Sequence, residues 1–240
     1  MDNSFSLDNF SYATVEMAND KIGEIYKMLG PFDYSQYEEV VDEESMVPPS
    51  GSSSDVGGED KRETQLYWES RKSGAQYRGD INIDTKRPDG KGFKVFQGKS
   101  LYEGFFKDGM CHGFGRGITG KGEVYQGGFN EDQMDGNGFF YWPDGRIYEG
   151  DWVGGKRHGK GKYFWPNGKV YQGDFKNDKC VGQGVLYYPD GKRFEGTWKE
   201  GEKHGKGYYV FPNGAMYQVI YSNGTKNGEG KLISGNVSVD

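Results

Sequence analysis

The 240-residue chain has two cysteines, three histidines and no apolar run long enough to span a bilayer. Two cysteines exclude a disulfide-stapled secreted domain. The first twenty residues hold four acids, Asp2, Asp8, Glu16 and Asp20, and no apolar stretch, so no secretory signal is expected. Free thiols in a reducing, cytoplasmic setting are expected on the same grounds. Aliphatics are scarce too. Fewer than one residue in five is Leu, Ile, Val or Phe, a level at which disorder is suspected. Against this stand 16% aromatics and 41 glycines. Disordered chains are poor in aromatics. The composition therefore predicts a folded chain whose core is built of rings.

The formal charge of −6 conceals an asymmetry. Residues 1–76 carry sixteen acids and six bases, whereas residues 77–240 carry twenty acids and twenty-four bases. Within the first part, Val15, Ala18, Ile22, Ile25, Tyr26 and Leu29 recur at three- and four-residue steps, which predicts a short amphipathic helix over about 14–29 in an N-terminal segment 1–41. Thr14 is placed to cap it and Gly30-Pro31 to stop it. Such a helix either packs on its own protein or docks in a partner's groove. Residues 42–60 lack aromatics and are rich in Ser, Gly, Pro and acid, the composition of a flexible acidic linker. Residues 61–76 lead into the glycine-rich remainder of the chain.

From residue 77 to 235 the chain repeats. Tyr102, Tyr125, Tyr148, Tyr171, Phe194 and Tyr217 stand 23 residues apart. Two residues after the first five come Gly104, Gly127, Gly150, Gly173 and Gly196, and two further on Phe106, Phe129, Trp152, Phe175 and Trp198. Paired glycines such as Gly159 and Gly161 come next, then a Pro-Asp-Gly or Pro-Asn-Gly turn at Pro143, Pro166, Pro189 and Pro212. An earlier unit opens at Tyr77, and the last, from Tyr217, has Val219 where glycine is expected and reads as a cap. Residues 236–240 form a tail.

Rings and glycines alternate at even spacing in two runs per unit. Period two means strand, and residues of one parity share a face. Each unit is thus a β-hairpin in which a ring lies on backbone laid bare by glycine. The aromatic area buried offsets glycine's entropic cost. Stacked hairpins form a one-dimensional array. The pattern, with Tyr-Glu-Gly-Asp-Trp at 148–152 and His-Gly-Lys-Gly at 158–161, resembles the MORN (membrane occupation and recognition nexus) repeat family. That resemblance implies an all-β, elongated antiparallel meander of stacked 23-residue hairpins.

A second period of 46 overlies the first. Alternate units carry Glu103, Glu149 and Glu195 with His112, His158 and His204; the others carry Gln126, Gln172 and Gln218. Duplication of a two-hairpin ancestor explains this, as does a decorated edge that meets a periodic partner.

Little else reads as chemistry. Each His is accounted for by the repeat, so no metal or catalytic set is expected. The run Gly115–Gly122 has Gly122 where a phosphate-binding loop needs Ser or Thr, and strand rather than helix comes after it. The excess of four bases is too weak to predict nucleic-acid binding. The sequence therefore predicts no catalysis, no cofactor and no small-molecule substrate. Small proteins built only of these repeats often belong to cytoskeletal assemblies, notably the radial spokes and other parts of ciliary axonemes, so the resemblance implies other subunits of such a complex as partners. Candidate contacts are the N-terminal helix and the rings Tyr125, Trp142, Trp165 and Tyr188. The bases Lys156, Arg157, Lys160, Lys203 and Lys206 are either a solvated edge or a surface for anionic lipid or acidic protein.

Overall fold

The computed structural model describes residue 25 and residues 27–35, 62–69, 74–96 and 100–234. Within them the chain divides into two compact units, 1–133 and 134–240. Most of the expected helix, including Val15, Ala18, Ile22 and Tyr26, lies outside the described residues, as do the 42–60 linker and the tail.

The first unit contains β1 (Arg62–Glu69), β2 (Gln76–Asn82), β3 (Pro88–Phe96), β4 (Ser100–Lys107), β5 (Met110–Thr119) and β6 (Val124–Asn130). The second contains β7 (Gln133–Tyr141), β8 (Ile147–Val153), β9 (Lys156–Phe164), β10 (Val170–Lys176), β11 (Lys179–Tyr187), β12 (Arg193–Lys199), β13 (Glu202–Val210), β14 (Met216–Ser222), β15 (Thr225–Lys226) and β16 (Lys231–Ser234). Within each unit, strands pair antiparallel in chain order, with β16 returning to β14. The expected all-β hairpin meander is what both units show. The lead-in 61–76 adds a strand that the sequence did not signal: β1 pairs with β2.

Register explains the glycines. Gly104 faces Gly115, Gly150 faces Gly161, and Gly173 faces Gly184 across their hairpins. Over each pair lies the ring that opens the unit. A Cβ on Gly161 or Gly184 would meet the ring of Tyr148 or Tyr171 at under 3 Å. Close approach, rather than backbone conformation, therefore requires glycine there. Tyr102, Tyr148 and Tyr171 are at most 2% exposed. The rings then interlock edge to face from one hairpin to the next. Tyr102 meets Phe106 at 5.0 Å and Phe129 at 4.9 Å. Tyr148 meets Trp152 and Phe175, each at 5.1 Å, and Tyr171 meets Phe175 at 5.2 Å and Trp198 at 5.0 Å. Each such pair contributes about 0.5–1.5 kcal/mol beyond its buried area.

Each glycine pair is succeeded by a slip in register. It falls between Gly104 and Phe106, Gly150 and Trp152, and Gly173 and Asp174. A bulge turns a main-chain carbonyl out of the ladder. The tyrosine hydroxyl donates to that carbonyl: Tyr77 to Asp80, Tyr102 to Phe105, Tyr148 to Asp151 and Tyr171 to Asp174, and Tyr125 donates in the same way to Gly128, at 2.6–3.2 Å. The hydroxyl is thus the reason for Tyr over Phe at five of these places.

In the second unit the proline turns stack. Trp142 N donates to Arg146 O, and Gly145 closes the turn by donating to Trp142 O. Gly145 adopts φ +86°, open to glycine at low cost, and lies under Pro166 of the next turn.

Candidate interaction surfaces

Nine residues after the opening ring comes a side chain that lies over that ring or beside it: Cys111, Arg157, Cys180, Lys203 and Lys226 stand at this one place in five of the repeats. Arg157 sits over Tyr148, Tyr163 and Phe175 at 5.1–5.8 Å and is held by Asp178 at 3.1 Å. Lys203 is enclosed more fully. Its Nζ lies 4.3 Å from the Phe194 ring centre and 5.0 Å from that of Tyr209, and donates to the hydroxyls of Tyr188 at 2.8 Å and Tyr209 at 2.9 Å. Burial, helped by the like charges of Lys169 and Lys192, pulls its pKa down to about 8. Cys111 and Cys180 are free thiols, and burial raises both, Cys180 to about 11. Neither is a ready nucleophile.

Two of the five candidate surface bases are therefore turned inward: Arg157 and Lys203 serve the ring ladder. Lys156 and Lys206 are exposed, and Lys160, 81% exposed, pairs with Asp174 at 2.5 Å. The rings divide likewise. Tyr125 is 4% exposed and belongs to the core, a correction to its expected place on the surface, since its hydroxyl donates to the carbonyl of Gly128. Trp142, Trp165 and Tyr188 are half-buried beside the turns. Trp142 lies 4.3 Å from Phe140, Trp165 lies 4.6 Å from Tyr163, and Tyr188 lies near Lys192 and Lys203.

On the first unit the face opposite the ring ladder is covered by the chain's own N-terminal segment. Residues 25 and 27–29 are helical. Ile25 packs on Phe93, Val95, Leu101, Ile118 and Val124, while Leu29 stays exposed. Arg116 reaches across the sheet to Glu103 at 2.9 Å and to the carbonyl of Gly30 at 2.6 Å. Both side chains are buried, at 4% and 0% exposure, an arrangement that requires each charge to have its partner. Phe32, 4% exposed, lies against Arg116, and Tyr34 donates to Gly92 O at 3.0 Å. Of the two readings of this segment, packing on its own protein is the one shown for Ile25 and residues 27–35. Glu103 was visible only as a member of the 46-residue period, and Arg116 gave no signal at all.

On the second unit the same face holds a shallow cavity of about 560 Å³ among β7–β11, lined by Glu149, Lys160, Lys162, Gln172, Gln183 and Tyr187 among others. Among the described residues, none of the His, Cys, Asp and Glu side chains gather in a group that could hold a metal.

A sheet of short hairpins, each pinned by a ring over a glycine pair, defines a class of all-β repeat protein. The MORN repeat model matches residues 102–116, 125–145, 148–170, 171–193, 194–216 and 220–236. The chain belongs to the MORN-repeat family. No curated protein matches the chain. Among solved structures it is similar to the TCP domain of SAS-4 (dCPAP) from Drosophila melanogaster, in complex with a proline-rich motif of Ana2, at 13% identity and TM-score 0.42 over 71% of this chain and 97% of that one. It is likewise similar to a point mutant of the TCP10 domain of Danio rerio CPAP, at 13% identity and TM-score 0.43 over 71% and 76%. A protein-interaction or scaffold role fits the family.

Proposed function

We propose that the protein is a non-catalytic structural subunit of a large cytoskeletal assembly, of the radial-spoke kind in ciliary axonemes, and that it holds neighbouring subunits on its sheet faces. The supporting observation is geometric. The ring ladder consumes one face of each hairpin, while the other presents side chains in rows across strands about 4.8 Å apart. In the second unit Phe139, Tyr141 and Tyr187 stand in those rows at 41%, 37% and 41% exposure. Exposed rings set among polar groups mark a surface for protein. Placement in the cilium rests on the family resemblance.

The competing reading is a peripheral adaptor on anionic lipid through Lys156, Lys160 and Lys206. Inward-turned Arg157 and Lys203 weaken it, because each base near a charged surface contributes only about 1 kcal/mol. Tagged full-length protein, purified from ciliated cells that express it, separates the two. Co-purification with axonemal proteins after detergent extraction supports the scaffold. Recovery alone, together with salt-sensitive sedimentation on phosphatidylserine vesicles, supports the adaptor and overturns the scaffold.

A further inference from the structure

Arg157 and Lys203 occupy the same place in the repeat, one 46-residue period apart. Arg157 lies among Tyr148, Tyr163 and Phe175, and Lys203 among the matching rings Phe194, Tyr209 and Tyr221. The main chain matches too: Asp178 N donates to Arg157 O at 3.0 Å, and Gly224 N donates to Lys203 O at 2.9 Å. The difference is the counter-ion. The Asp178 carboxylate accepts from Arg157 Nε and from its main-chain N–H, each at 3.1 Å. At the matching place beside Lys203 stands Gly224. Lys203 has the rings of the design without its carboxylate.

Further positive charge gathers there instead. Lys169 and Lys192, each the residue after a turn glycine, stand over Tyr188 with Nζ 5.6 Å and 4.9 Å from the ring centre, and Lys203 shares that ring at 5.6 Å. Two acids lie near. Asp190 pairs with Lys192 at 2.9 Å, and Glu202 alternates to the opposite face of β13, its carboxyl beside Gly224. Among the described residues no acid pairs with Lys169 or Lys203. Three lysines against the one carboxylate of Asp190 leave a local excess of positive charge. Lys203 spends two of its three N–H donors on Tyr188 and Tyr209, and one remains. Lys169, Lys192, Lys203 and Tyr188 are all half-buried, so the cluster is open to a ligand.

We propose that Lys203, Lys169 and Tyr188 form an anion-binding site whose occupant is an Asp or Glu carboxylate of a partner protein, supplying to Lys203 what Asp178 supplies to Arg157. The charge excess sets the sign of the occupant. The matched place, filled by a carboxylate in this chain's own repeat, sets its chemistry. The surroundings favour a protein as its source: the next turn, whose Pro212 lies over Gly191, carries Phe211 at 39% exposure, so an exposed ring adjoins the charge. The proposal rests on the interaction-subunit reading and names its partner's chemistry.

The test uses the full-length protein with fluorescein-labelled hexaglutamate as the probe and hexaglutamine as the control, read by fluorescence anisotropy. Saturable binding of hexaglutamate alone is expected, weakening as salt rises. Lys203→Met and Lys169→Met each weaken it about tenfold or more, while Lys176→Met, at an exposed position outside the cluster, keeps it. Gly224→Asp, made together with Glu202→Gln to remove the neighbouring carboxyl, returns the missing acid to the chain and weakens binding as much. Glu202→Gln alone keeps it. Gly224 has φ +77°, a conformation that Asp178 adopts at +70° and Asp132 at +65°, so aspartate is accommodated there. Circular dichroism checks the fold of each variant. Absence of saturable binding, undiminished binding by Lys203→Met, or an equal loss in Lys176→Met overturns the proposal. Sedimentation on phosphatidylserine vesicles that requires Lys203, with no binding of hexaglutamate, makes lipid the occupant and overturns it too. If hexaglutamate fails while axonemal proteins still co-purify with the chain, the site falls and the scaffold reading stands.

Discussion

The hydroxyl of Tyr102 donates to the main-chain carbonyl of Phe105 at 2.9 Å, at the point where the β4–β5 register slips. The ring thus does two jobs: it covers the Gly104–Gly115 pair and satisfies the carbonyl that the slip sets free. Tyr148 and Tyr171 repeat this at Asp151 and Asp174. Tyr171→Phe keeps the ring and leaves a buried acceptor unpaired. The expected loss is about 1–3 kcal/mol in urea unfolding. A loss near zero shows that the hydroxyl is not needed.

The two kinds of glycine separate by substitution. In Gly184→Ala the new methyl meets the Tyr171 ring and hydroxyl at 2.6–2.8 Å, so the ring must leave its seat. The expected cost is about 1–3 kcal/mol. Gly155→Ala adds a methyl with nothing within 4 Å but at φ +76°, costing about 1–2 kcal/mol through the backbone alone. Near-ultraviolet circular dichroism tells them apart, since only Gly184→Ala disturbs the ring ladder.

Much of this is legible in the residues alone. Tyr148, Gly150 and Trp152 show period two, and the 23-residue step shows how the hairpins succeed one another. The bulges were not legible, because a slip of two residues between paired strands leaves the spacing of Tyr and Gly along the chain unchanged. Arg157 and Lys203 read as surface bases because their neighbours along the chain are polar. The rings that enclose them come from other strands. Arg116 meets Gly30 across 86 residues, beyond any local pattern.

Glu103→Gln tests that long-range contact. It leaves Arg116 buried opposite a neutral partner, and losing one member of a buried ion pair costs about 3–5 kcal/mol. Limited proteolysis between residues 25 and 35 should accelerate, while cleavage within 134–234 stays unchanged. Acceleration in both units contradicts the assignment of the pair to the first.

Lys203 gives a pH signature. Its folded pKa, about 8, lies below the ordinary lysine value of 10.5. Between these values the unfolded chain binds more protons, so the contribution of Lys203 to stability rises with pH across that window and is lost as pH falls through about 8. Lys203→Met should flatten the rise in thermal midpoint between pH 8 and about 10. An unchanged slope places its source elsewhere.

The most direct test of the scaffold account is cross-linking mass spectrometry on the native complex with an amine-reactive reagent. The account predicts links from Lys160 and Lys162, on the open face of the second unit, to other proteins. Lys203, enclosed by Tyr188, Phe194 and Tyr209, should react poorly. Links confined to the chain itself, with no neighbouring protein joined to either lysine, would contradict it.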